Sequence, residues 1–264
     1  MPERASLWRS LDIQRRVIGA LLMREIITRY GRHNIGFLWL FVEPMIFTTG
    51  VTLMWGALKS GQSVSSLPIT AFAVTGYSSV MLWRNIVSKC NVGITPNLSL
   101  MYHRNVRVLD IFLSRIILEV SGTTTAFTIL SLVFISISWM EPPADILKVL
   151  HGWALLAWFG SSLGMVTGAL TERSELVEKL WHPVSYVLFP LSGAGFMVDW
   201  LPTSMREVVL WVPIVHAMEL LREGYFGGTI RAHYDIGYMS FCCLCLMFLG
   251  LALVKDAGRR LEPQ

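Results

Sequence analysis

The chain has 264 residues, 53% of them apolar and only 15% charged, whereas a soluble domain carries about 25% charged residues. That deficit, with a positive mean hydropathy, excludes an ordinary soluble enzyme and points to a protein dissolved in lipid. The net charge of +4 comes without Lys/Arg runs interleaved with aromatics, which excludes nucleic acid as a partner.

Seven arginines (Arg4, Arg9, Arg15, Arg16, Arg24, Arg29 and Arg32) precede the first long apolar run, and no short apolar core leads to a small-residue cleavage site. No export signal is therefore expected. Arg15-Arg16 stands before a short apolar stretch as in a twin-arginine signal, but Arg24-Glu25 interrupts it. Over residues 7–23, Leu7, Leu11, Ile18 and Leu22 fall on one helical stripe, with Arg9, Asp12 and Arg16 opposite. That pattern predicts an amphipathic helix lying in the membrane interface. Glu25 and Arg29 would land on the stripe, so a bend or a second, cytosol-contacting segment is expected after Met23.

A helix crosses a hydrocarbon core in about 20 apolar residues, since each adds about 1.5 Å. Six segments qualify: 36–58, 68–88, 111–139, 147–170, 181–198 and 236–254. The expected fold is an all-α membrane protein and a single transmembrane domain. It comprises a cytoplasmic and interfacial segment (1–34), a six-span core (36–254) and a tail (255–264). With the N-terminus inside, fifteen of the 22 Lys and Arg residues fall on the inner side and five on the outer. Positive residues concentrate on the cytoplasmic side, so both termini are expected there.

Three connections carry information. Residues 89–110 form a cytoplasmic loop too long for a tight turn, with 171–179 as its shorter counterpart. On the outer side, residues 199–235 contain two apolar pieces too short to span. Such pieces suit half-helices, tolerated at membrane depth only against protein or a wet cavity.

Inside the spans, Gly160, Gly164 and Gly168 repeat every four residues, which predicts a close helix crossing. Gly160-Ser161-Ser162-Leu163-Gly164 also satisfies the nucleophile-elbow pattern, but that elbow needs a strand before it, and here the serines lie in an apolar helix. Pro44, Pro183 and Pro190 interrupt two spans and predict kinks. Charges within spans are costly unless paired or wetted. Arg115 and Glu119 stand four apart and can pair, Arg84 can snorkel, and Glu43 has no local partner. Phe37, Phe41, Thr48 and Trp55 fall on one stripe of the first span. Such a face suits either sugar rings or helix packing. No phosphate-binding loop occurs, so an ATP-driven process would need a second polypeptide. The three cysteines at 242, 243 and 245, and Cys90, match no zinc spacing and read as apolar helix residues.

Residues 24–40 (REIITRYGRHNIGFLWL) with Glu43-Pro44, 190–202 (PLSGAGFMVDWLP) and 213–227 (PIVHAMELLREGYFG) carry a resemblance over essentially the whole chain. It resembles the ABC-2 type permeases, nearest the branch exporting capsular polysaccharide in Gram-negative bacteria. The resemblance implies a homodimer joined to two copies of a nucleotide-binding ATPase in the inner membrane, moving a lipid-linked, acidic polysaccharide to the periplasm. No cofactor is implied in this chain, ATP and Mg²⁺ being bound by the partner subunit, and a periplasmic adaptor is left open. ATPase coupling would fall on Arg29, Arg32, Asn91, Pro96, His103, Arg104, Arg107 and Glu175. The family pattern does not fix the sugar-contacting residues; the intramembrane charges and the aromatic stripe themselves suggest a substrate path through Phe37, Phe41, Glu43, Thr48, Trp55 and Arg84. A periplasmic gate formed by half-helices 203–211 and 213–226 would include Trp200, Pro202, Trp211, Glu219, Arg222 and Tyr225. O-antigen, teichoic-acid or drug export are alternatives within the class. An intramembrane serine hydrolase centred on Ser161 or Ser162, and a non-transporting scaffold, are alternatives outside it.

Overall fold

The computed structural model describes residues 7–30, 42, 45–46, 48–51, 53–54, 57, 67–101 and 106–261. The described residues between 42 and 57 are all helical. The principal helices elsewhere are α1 (Leu7–Tyr30), α2 (Ile69–Asn91), α3 (Val108–Ser136), α4 (Ile146–Thr171), α5 (Glu175–Leu191), α6 (Thr203–Val209), α7 (Pro213–Phe226) and α8 (Ile236–Leu261). There is no strand among the described residues. Among the described residues three helices, α3, α4 and α8, are long and apolar enough to cross a bilayer. The chain is an all-α membrane protein.

Helix α4 is the centre of the bundle, packed against α2, α7 and α8. Its glycines explain why. A Cβ on Gly160 would lie 2.8 Å from the Trp83 backbone, and one on Gly168 would lie 2.8 Å from the Cys90 carbonyl oxygen. A Cβ on Gly164 would meet the Cys90 thiol at 3.1 Å. The expected close crossing is present, and α2 fills it. Gly152 continues the face toward α7, where a Cβ would sit 2.8 Å from the Leu221 backbone nitrogen. From α8, Gly250 approaches Met165 in the same manner.

Burial accounts for the composition of α2. Thr75 and Ser79 are fully buried and donate to carbonyls of their own helix at 2.7 Å. Surrounded by protein, α2 tolerates hydroxyls that a lipid-facing helix would carry at a cost. The lipid-facing helices show the opposite pattern. Ile129, Leu132 and Val133 on α3, and Phe241, Phe248 and Leu249 on α8, are exposed. An apolar exterior of this kind is what a bilayer solvates.

One end of the bundle is defined by polar ties. Asp110 in the first turn of α3 accepts from Gln14 of α1 at 2.9 Å, and Arg24 donates to Asn97 at 2.8 Å. Arg173 after α4 pairs with Asp256 of α8. We call this the basic end; α6, α7 and the start of α8 lie at the other.

Several element boundaries differ from the sequence-based expectation. Helix α1 continues unbroken to Tyr30 instead of bending after Met23, and Glu25, one of the two residues that spoil its stripe, finds a partner in the bundle. Arg24 reaches Asn97, and Glu25 reaches Arg115 of α3 at 3.2 Å. Arg115 also donates to the Lys89 carbonyl at 2.5 Å. The connection 171–179 shrinks to residues 172–174, since α5 begins at Glu175. Helix α5 ends at Leu191 where a span to 198 was expected, because the chain turns at Gly193, whose φ of +82° suits glycine. The first half-helix is Thr203–Val209, two residues shorter than 203–211. The second occupies Pro213–Phe226 as expected.

The α1 tie yields a prediction. In Glu25→Ala the buried Arg115 guanidinium loses its 3.2 Å carboxylate partner, and breaking a buried pair costs several kcal/mol. Limited proteolysis in detergent should then cut within the first 30 residues of the chain at least several-fold faster than wild type, the remaining bundle staying resistant. Equal cutting rates would refute a docking role for this pair.

Candidate coupling surface and re-entrant gate

At the basic end, α2 and α4 are fastened through Asn91. Its side-chain oxygen accepts from Thr167 at 2.6 Å and its carbonyl from Thr171 at 3.0 Å. Pro96 is exposed in the 3₁₀ turn Thr95–Asn97 that follows, while buried Asn97 donates to the Gly93 carbonyl at 2.9 Å. Glu172, just beyond α4, hydrogen-bonds Thr95, and burial pushes its carboxyl above the ordinary range despite that bond. Asn91, Pro96 and the end of α4 therefore form one connected surface. Arg107 stands exposed before α3, and Glu175 is exposed at the start of α5, 3.6 Å from Lys179. The Arg29 side chain and Arg32, His103 and Arg104 lie outside the described residues.

At the opposite end, α7 is almost wholly buried. Arg222 is fully buried and donates to the carbonyls of Gly193, Ala194 and Phe196, each at 2.6 Å. These carbonyls follow the C-terminus of α5, where the last turn leaves acceptors unsatisfied and the helix dipole is negative. A guanidinium offers five donors in a planar fork and suits the site. Its face lies 3.9 Å from the Phe72 ring centroid, and Phe72 stacks on Trp200 at 5.2 Å. Gly76 makes room, since a Cβ there would fall 2.7 Å from the Arg222 Nη2.

One turn before Arg222, buried Glu219 accepts the Val198 N–H at 3.1 Å and the His233 N–H at 3.0 Å. It holds together the two strands of loop that flank α6 and α7. His216 spans a similar gap: Nδ1 accepts from the Asp235 N–H at 2.8 Å, leaving Nε2–H to donate to the Leu210 carbonyl at 2.8 Å. Tyr225 donates to the Glu141 carbonyl. Tyr234 donates to Glu223 at 2.6 Å, which together with burial raises its phenol to about 12. Pro202 caps the start of α6, and Trp211 projects at 76% exposure. Glu219, Arg222 and Tyr225 are thus buried clamps, whereas Trp200, Pro202 and Trp211 lie on the surface of the same hairpin.

Of the path residues, Thr48 and the Arg84 side chain are among those described. Thr48 is buried beside Ser78 of α2 and Thr123 of α3 in a small crevice. Arg84, six residues after Ser78, presents its guanidinium 5.1 Å from the Tyr186 ring centroid on α5. Six helical residues advance about 9 Å and turn to another face. Phe37, Phe41, Glu43 and Trp55 lie outside the described residues.

Residues 16–226 match the ABC-2 type transporter family. The chain belongs to that family. Among curated ABC-2 relatives, it is 48% identical over 261 residues to the capsule polysaccharide export inner-membrane protein CtrC of Neisseria meningitidis serogroup B, covering 99% of this chain and 98% of the relative. It is 44% identical over 255 residues to the capsule polysaccharide export inner-membrane protein BexB of Haemophilus influenzae, covering 97% and 96%. The polysialic acid transport protein KpsM of Escherichia coli is 26% identical over 248 residues, covering 92% and 94%.

In this ABC-2 chain, sequence reasoning did not single out Phe72 and Gly76 of α2 as neighbours of Arg222, His216 as a tie across the α6–α7 hairpin, or Thr167 and Thr171 as partners of Asn91. A hydroxyl or a glycine in an apolar helix reads as filler until its neighbour is known. A charge pair three apart on a half-helix, Glu219 and Arg222, was the one local signal that the hairpin is internally braced.

Proposed function

We propose that the chain is the membrane permease of an ATP-driven exporter that carries lipid-linked capsular polysaccharide across the bacterial inner membrane. Similarity over nearly the full length to two capsule polysaccharide export proteins supports this reading most directly. The permease itself is not an enzyme; ATP hydrolysis belongs to a separate subunit. In this reading two copies form a homodimer, six spans cross the membrane, and the basic end with both termini faces the cytoplasm. Concentration of Arg24, Arg107, Arg173 and Lys255 at one end supports that orientation.

The coupling surface around Asn91 and Pro96 would receive the ATPase, and the Thr167 and Thr171 hydroxyls would pass its movement to α4 as a rigid-body shift. The α6–α7 hairpin would close the periplasmic side. Deletion of the gene should leave capsular polysaccharide inside the cell, with export restored by the wild-type chain; a normal capsule in the deletion strain overturns the proposal. In purified complex, Asn91→Ala should leave ATPase attached but lower export several-fold more than ATP hydrolysis. Parallel loss of both, or of neither, would remove Asn91 from coupling.

The hydrolase alternative finds no support in the geometry. Ser161 and Ser162 donate to the carbonyls of Ala157 and Trp158 at 2.6 and 2.9 Å, ordinary bonds to their own helix. Alanine at both positions should keep export within about two-fold of wild type, as expected for surrendering such back-bonds. Abolished export with normal protein level would restore the serines to consideration.

A further inference from the structure

A cavity of about 530 Å³ opens at the basic end between the start of α3 and the end of α8. Its walls divide by chemistry. Leu109, Leu251 and Val254 form an apolar side, while Arg107, Lys255 and Arg259 stand around the mouth. All three cations are exposed and make no ion pair among the described residues. Neighbouring carboxylates are engaged elsewhere: Asp110 accepts from the Arg107 backbone N–H and from Gln14, and Asp256 pairs with Arg173 and Arg260. The mouth therefore carries a positive excess, three cations against the one buried carboxylate of Asp110 that no cation pairs among the described residues.

The register of α8 extends this division beyond the cavity. Leu244, Phe248, Leu251, Lys255 and Arg259 follow one another at intervals of four, three, four and four residues, which places them on one helical stripe. Along that stripe the first three are exposed and apolar, Phe248 at 71% and Leu251 at 39%, and the last two are cationic. The change occurs within one turn, at the level of the cavity. A helix that crosses a bilayer meets water where its charges begin, so the cavity straddles the boundary between hydrocarbon and headgroups.

We propose that this cavity is a binding site for an anionic glycerophospholipid of the adjoining leaflet. Its phosphate would sit among Arg107, Lys255 and Arg259, and its acyl chains would lie along Leu251, Phe248 and Leu244. The three cations complement a phosphate. The apolar track below the mouth distinguishes this occupant from a soluble protein, which has no reason to follow α8 into the hydrocarbon. The site does not depend on what the permease exports.

Native mass spectrometry of the full chain in detergent tests the assignment, with added phosphatidylglycerol, phosphatidylethanolamine of the same acyl chains, or glycerol phosphate. Each cation beside an anionic headgroup contributes about five-fold in affinity. Wild type should therefore retain phosphatidylglycerol at least about five-fold over phosphatidylethanolamine and should not retain glycerol phosphate. Lys255→Gln with Arg259→Gln should abolish the preference. Leu251→Asp should reduce retention by blocking the track, and Arg231→Gln at the other end of α8 should change nothing. Equal retention of the two lipids, an unaltered preference in the double variant, or glycerol phosphate bound as well as lipid would each overturn the site. Loss of ATPase co-purification in the double variant with lipid preference intact would reassign the cations to docking and likewise overturn it.

Discussion

Replacing Arg222 by methionine is expected to lower the thermal midpoint of the detergent-solubilised protein by roughly 10 °C and to abolish export. Methionine fills much of the volume but donates nothing to the Gly193, Ala194 and Phe196 carbonyls, each now bonded at 2.6 Å. A buried acceptor left unsatisfied costs about 1–3 kcal/mol, so three such losses amount to roughly 3–9 kcal/mol, of which about 4 kcal/mol is expected to survive relaxation. At about 2–4 °C per kcal/mol for a chain of this size, that gives the stated shift. Glu219 would also lose the positive charge one turn away. Lysine at 222 should recover part of the midpoint, because a single ammonium reaches fewer carbonyls than the planar fork. Gly76→Ala should move the midpoint in the same direction, since its Cβ falls 2.6 Å from the Ala194 oxygen and 2.7 Å from the guanidinium. Heating followed by size-exclusion chromatography measures all three. An unchanged midpoint in the methionine variant would mean the hairpin does not rely on this residue.

Leucine at Gly160 should have an effect of similar size for a different reason. There the first added carbon already lies 2.8 Å from the Trp83 Cα, a backbone atom that cannot rotate away. Helices α2 and α4 would have to separate, loosening the buried contacts of Trp83, Ile86 and Leu156. Overpacking a core typically costs about 1–3 kcal/mol, and backbone contact places this case at the upper end or beyond. The variant should express as aggregated protein. Gly164→Ala, whose Cβ meets the Cys90 thiol at 3.1 Å, should be milder. Gly19→Ala, with nothing within 4 Å, should be neutral or slightly stabilising. A monodisperse, heat-stable leucine variant at Gly160 would contradict the close crossing.

The two predictions differ in how visible their sites were before the structure. The Gly160, Gly164 and Gly168 spacing announces a close neighbour, because a smooth helix face has one physical use in a membrane bundle; it does not say that α2 is the neighbour. Arg222 announces that something buried must accept its hydrogen bonds, yet the acceptors lie 26 to 29 residues earlier and are backbone atoms. No side-chain pattern marks them except glycine at the turn. The expected bend after Met23 failed for a related reason. Glu25 disrupts a stripe only if the helix faces nothing but lipid, and in the folded chain it faces Arg115.

The sequence alone determined that this is a helical membrane protein, where three of its long apolar helices lie, and that a short helix occupies residues 213–226. Those conclusions need only the requirement that peptide groups in hydrocarbon satisfy one another within a segment, which reduces the problem to counting along the chain. Which helix stands at the centre, which carbonyls hold Arg222, and where cationic and apolar walls meet at the end of α8 were decided by tertiary structure. Buried charges and close contacts choose partners by distance in space, and that distance is unrelated to separation along the chain.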